Sequence, residues 1–105
     1  MATIGLDREA VVCTYTNTQD ATIQIIKDTV QNGPQDFAYT TTGTGPAAFT
    51  AGFSLDDDAD PTLPNNRTFT FPAAQQGTKT VTEPAVAGFS LTNLVCTGGG
   101  ANTSV

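Results

Sequence analysis

The 105-residue sequence predicts a single all-β domain of the sandwich or barrel kind. Three observations carry this. Short apolar runs recur at near-even spacing, divided by turns rich in Gly, Pro and Asn. Threonine fills about a fifth of the chain and joins Val, Ile, Phe and Tyr, a composition suited to pleated, half-buried strands. No segment carries an apolar stripe of helical period with caps at its ends.

The elements follow in order. Ala2–Ile4 is a short strand candidate, turned by Gly5-Leu6-Asp7-Arg8-Glu9 into a second strand, Ala10–Asn17. Thr22–Val30 comes next and stops at Gln31-Asn32-Gly33-Pro34. Phe37–Thr42, a Gly/Pro loop and Phe49–Leu55 follow. An acidic loop, Asp56–Asn66, leads into Arg67–Phe71. Pro72–Gly77 turns the chain into Thr78–Glu83, and Pro84–Gly88 turns it again into Phe89–Cys96. The expected core is Ile23, Ile25, Phe37, Tyr39, Phe53, Phe69, Val81, Phe89 and Leu91. Residues 1–18 read as an N-terminal hairpin, 19–96 as the body and 97–105 as a Gly-rich tail.

Composition excludes several functions. The net charge is −6 with only four Lys+Arg, which disfavours binding to nucleic acid phosphates. The chain has no histidine, so a His-based triad and a His-ligated metal are excluded. No run approaches the ~18 apolar residues of a membrane span. A Met1-Ala2 start with no visible leader leaves export open. No cofactor is implied.

Cys13 and Cys96 form no CxxC motif. They read either as two buried thiols or as one disulfide in an oxidising compartment. The extracellular character of the composition favours the disulfide. Asp56, Asp58 and Asp60 alternate as in a calcium loop. However, Pro61 stands where an EF-hand needs Gly, and Arg67 stands where it needs the bidentate Glu. A solvated acidic turn is the simpler reading, with a low-affinity Ca2+ site as its minority alternative.

Strand alternation yields a sharper constellation. Val11, Cys13, Tyr15 and Asn17 share one face. Ile23, Ile25 and Lys27 share another, as do Val81 and Glu83. In each strand the position after the apolar set holds a polar or charged group. Burying one of these alone is costly, whereas Lys27 and Glu83 together compensate each other. Burial disfavours charge on both, so a proton can rest on Glu83 while Lys27 becomes a neutral amine nucleophile. A protonated Glu83 can polarise the Asn17 carboxamide and shuttle protons. The outcome is one amide bond and one ammonia, in a single turnover. The plainer alternative is a buried Lys27–Glu83 ion pair with Asn17 as acceptor.

The stretches Ile25-Ile26-Lys27-Asp28, Thr80-Val81-Thr82-Glu83 and Thr14-Tyr15-Thr16-Asn17 resemble the Lys, Glu and Asn motifs of collagen-adhesin B-type domains. More narrowly, Asp20–Ser54 and Leu55–Gly99 resemble tandem prealbumin-like repeats of large secreted bacterial proteins. The resemblance implies a prealbumin-like, inverse immunoglobulin-type sandwich of seven or eight strands. It also implies an extracellular or cell-surface setting, and a Lys27–Asn17 isopeptide catalysed by Glu83.

The order of motifs departs from that family, where Lys lies on the first strand and Asn on the last. Here the Asn-bearing strand comes first, so the chain resembles one repeat cut in permuted phase. A parallel partner needs a crossover of about a dozen residues, and only Thr18–Ala21 separate Asn17 from the next strand. Ala10–Asn17 therefore either hangs idle or completes a neighbouring molecule, where a Cys13–Cys96 disulfide would lock the same joint. The expected function is an extracellular structural repeat or fibre subunit whose partners are other copies of itself. The alternative is an adhesin-type module whose loops bind a host or matrix ligand.

Overall fold

The structure is a computed structural model that describes residues 1–99. The expected tail therefore lies outside the described residues beyond Gly99. Among the described residues there are five strands: β1 Ala21–Ile26, β2 Gly33–Thr42, β3 Phe53–Asp57, β4 Asn66–Phe71 and β5 Thr80–Thr82. A one-turn helix, α1 Ala47–Thr50, precedes β3, and a 3-10 turn, Ala73–Gln75, follows β4.

β1 pairs antiparallel with β4, from Ala21 opposite Phe71 to Ile26 opposite Asn66. β2 lies at the centre of the other sheet, antiparallel to β3 on one side and β5 on the other. The all-β, two-sheet architecture matches the sequence expectation, with five strands in place of seven or eight.

Phenylalanine builds the core. Phe37, Tyr39, Phe49, Phe53, Leu55, Phe69 and Phe71 are buried. The alternate positions Phe37 and Tyr39, Phe53 and Leu55, and Phe69 and Phe71 turn one face of β2, β3 and β4 inward. Tyr39 stacks on Phe53 at 5.1 Å, and Phe49 meets Phe69 and Phe71 edge-on at 5.4 and 5.1 Å. Ile23, Ile25, Val81 and Val86 pack against this cluster from its margins.

Four sequence expectations are corrected. Phe49 lies within the helical turn Ala47–Thr50 instead of opening a strand. The Pro46 carbonyl accepts hydrogen bonds from the Phe49 and Thr50 amides at 2.9 and 3.1 Å, and this turn carries Phe49 into the core centre. Second, Ala2–Ile4 and Ala10–Asn17 form no hairpin. Residues 1–20 are exposed throughout, and among the described residues no strand pairs with them.

Third, Phe89–Cys96 joins no sheet among the described residues; its end lies across a groove from β1 without entering a ladder. Phe89 touches Phe37 edge-on at 5.2 Å yet stays exposed, as does Leu91, so neither belongs to the buried core. Fourth, the acidic turn is not solvated throughout. Asp56 and Asp57 are buried at the end of β3. Asp57 accepts the Thr29 amide at 2.9 Å, which ties the β1–β2 connection to the opposite sheet.

Candidate functional site

Lys27 follows the last residue of β1 and shares the inward side of Ile23 and Ile25. Its amide donates to the Asn65 carbonyl at 2.7 Å, extending the β1–β4 ladder by one step and fixing where the side chain starts. Glu83 follows β5 on the side of Val81. The two side chains thus leave different sheets and meet between them. Lys27 Nζ donates to Glu83 Oε2 at 3.0 Å, with side-chain exposures of 12% and 21%.

β2 supplies the walls of this contact. Lys27 Nζ lies 4.1 Å from the centre of the Phe37 ring, a cation–π placement that holds the amine against an apolar face. The Tyr39 hydroxyl donates to the same Glu83 oxygen at 2.7 Å. Tyr39 is buried, and burial, followed by the hydrogen bond and the charge of Glu83, pushes its phenol far above the ordinary tyrosine value. It therefore acts as a fixed donor.

Sequence reasoning placed Phe37 and Tyr39 in the core and missed their part in this site. The available signal was parity: both point to the side on which the ends of β1 and β5 converge.

The other predicted residues are placed apart. Asn17 is exposed, and the side-chain hydrogen bonds of Lys27 and Glu83 go to each other and to Tyr39, not to Asn17. The Gln76 side chain holds the Gln19 carbonyl at 2.8 Å, next to the Phe71 carbonyl, at the Ala21 end of β1. Lys27 lies at the other end of that strand. Cys13 and Cys96 are exposed free thiols, so neither the buried-thiol reading nor a disulfide within the chain describes them.

In the acidic loop, the Asp58 carboxylate caps the Asp60 amide at 2.7 Å, and Asp60 caps Thr62 at 2.9 Å through the amide and 2.6 Å through the hydroxyl. Asp56 Oδ1 is buried without a partner, beside a cleft of about 290 Å³ shared with Asp36, Asp58 and Asp60. Among the described residues no group of three or more acidic, His or Cys side chains is arranged to hold a metal ion. These turns spend the carboxylates on local backbone instead.

Fold and site together define a two-sheet, all-β module whose sheets are bridged by a shielded amine–carboxylate pair. Among the described residues, no helix is long and apolar enough to cross a membrane. The chain belongs to the SpaA-type prealbumin-like fold domain family, whose model matches residues 23–105. Domains of this type are structural, non-enzymatic modules of the pilin and adhesin kind found at bacterial surfaces. The matched span begins inside β1 and leaves Ala10–Asn17 outside it. No curated protein and no solved structure matches the chain.

Proposed function

We propose that this protein is a structural repeat of an extracellular bacterial stalk or fibre, and that Lys27 and Glu83 are set to form an isopeptide with Asn17 of a neighbouring copy. The observation that carries this reading is the 3.0 Å Lys27–Glu83 contact, held between the sheets by Phe37 and Tyr39. The Asn-bearing segment of the same chain lies outside that contact.

The chemistry follows from the groups present. Glu83 takes a proton from the Lys27 ammonium, which frees the amine lone pair. Nζ attacks Cγ of the incoming Asn17. The C–Nζ bond forms and the C–Nδ2 bond breaks. Glu83 returns its proton to the departing nitrogen, which leaves as ammonia, and the Glu83 carboxylate then takes the second proton from Nζ and passes it to solvent, so that the link is a neutral amide. Tyr39 stays protonated and orients the carboxyl oxygen that does the shuttling. Each site acts once, so the process is assembly and not turnover.

Intact-mass spectrometry and reducing denaturing gels test this. The expected result is a covalent ladder that survives reduction, with one ammonia lost per link, abolished by Glu83→Ala and by Lys27→Ala. A chain that stays monomeric with unchanged mass after prolonged incubation at high concentration would mean that the pair is structural only.

A further inference from the structure

A groove of about 520 Å³ runs between β1 and the segment that ends at Cys96. Thr22, Ile23, Gln24, Ile25 and Ile26 form one wall, and Leu94 to Thr97 face them. Consecutive strand residues point to opposite faces, so a groove lined by five in a row lies along the strand's edge. Among the described residues that edge is unpaired: β1 has only β4 beside it, and residues 94–97 join no sheet. The β1 side of the groove therefore presents main-chain donors and acceptors, as an edge awaiting one more strand would.

We infer that this groove is the acceptor slot for residues Ala10–Asn17 of a second copy of this chain, entering parallel to β1, with Cys13 brought to Cys96. The inference rests on the fibre reading above and adds the acceptor surface, the direction of entry and the register that brings the two cysteines together. Three arguments select the occupant. Ala10–Asn17 is an exposed segment with Val11 and Tyr15 on one face and nothing to pack on.

Chain length excludes the segment's own groove. Placing Asn17 beside Lys27 would require the chain to return the length of β1 to Ala21, about 20 Å at ~3.3 Å per residue. The four steps from Asn17 to Ala21 span at most about 14 Å. Register then sets the direction. With Asn17 at Lys27, a parallel strand brings Cys13, four residues earlier, level with Ile23 inside the groove that Cys96 lines. An antiparallel strand would carry Cys13 four residues past Lys27 and out of it.

The lock is a thiol–disulfide exchange. Two thiols lose two protons and two electrons, the S–S bond forms, and an oxidised disulfide such as glutathione disulfide is reduced to two thiols. Because both cysteines are exposed on the free chain, they are accessible before docking.

The test uses full-length protein in a Lys27→Ala background, where no isopeptide can form. It is oxidised with glutathione disulfide and run on non-reducing gels. The expected result is a reducible ladder or closed dimer, with peptide mapping showing Cys13 joined to Cys96. Cys13→Ser and Cys96→Ser variants should each lose it alone and restore a single linked dimer when mixed. An intrachain Cys13–Cys96 monomer would overturn the proposal. So would single variants that link as well alone as together, since that is collision between exposed thiols. Reduction-resistant links in the Lys27-containing protein report the isopeptide separately, so either reading can fail without the other.

Discussion

Tyr39 shows how one side chain serves both packing and chemistry. Its ring stacks on Phe53, and its hydroxyl holds Glu83 at 2.7 Å. Tyr39→Phe keeps the ring and removes a hydrogen bond to a charged acceptor, so stability should fall by about 1.5 kcal/mol in urea denaturation. The folded phenol titrates above the ordinary value of 10.0, so its contribution is full below that value and fades as pH rises through the folded one. The variant should therefore lose less stability than the parent between neutral and strongly alkaline pH.

Asp56 presents the opposite case. Desolvation, then the charges of Asp58 and Asp36, raise its carboxyl above 3.8 against the Asp58 amide. Its contribution is present below 3.8 and lost as pH rises through the folded value. Asp56→Asn should raise the melting temperature at pH 7 and leave it nearly unchanged at acid pH. An equal shift at both would sink the assignment to charge.

At the scale of the element, the turn before β3 decides the packing. Gly52 has φ +78, and a Cβ there would sit 2.8 Å from the Tyr39 carbonyl. Gly52→Ala therefore combines left-handed strain with a backbone clash against β2, and should cost roughly 1–3 kcal/mol. Phe49→Ala empties the centre of the core and should cost about 3–5 kcal/mol. A Gly52→Ala protein of parental stability would show that β2 and β3 shift apart easily, and would weaken the account of a rigid Tyr39.

For the whole molecule, the radius of gyration is 20.6 Å and the longest extent 75 Å, against about 13 Å for a compact chain of 100 residues. Residues 1–20 stay exposed, with Ile4, Leu6, Val11, Val12 and Tyr15 among the uncovered apolar side chains. Docking Val11 and Tyr15 in a neighbour would stabilise by about 1.5–3 kcal/mol each before ordering costs. Deleting residues 1–18 should leave a body that sediments as a monomer at every concentration, while the full chain associates. A full chain that remains monomeric at high concentration would contradict the assembly.

The sequence by itself determined the residues that pair with the hydrophobic period. Alternation and Gly/Pro punctuation located Phe37, Tyr39, Phe53 and Phe69 in the core, because burial repeats every second residue in a strand, whereas Leu55, Phe71 and Phe49 joined them only in the structure. The same parity singled out Lys27 and Glu83. Only the tertiary structure decided which strands find partners. Ala10–Asn17 and Phe89–Cys96 have sound strand patterns, but a strand exists only where a second edge supplies its hydrogen bonds. Tertiary packing also brought Tyr39 and Phe37 around the Lys27–Glu83 contact and placed Cys96 along the free edge of β1. Those relations join residues far apart in the chain, where no local period reaches.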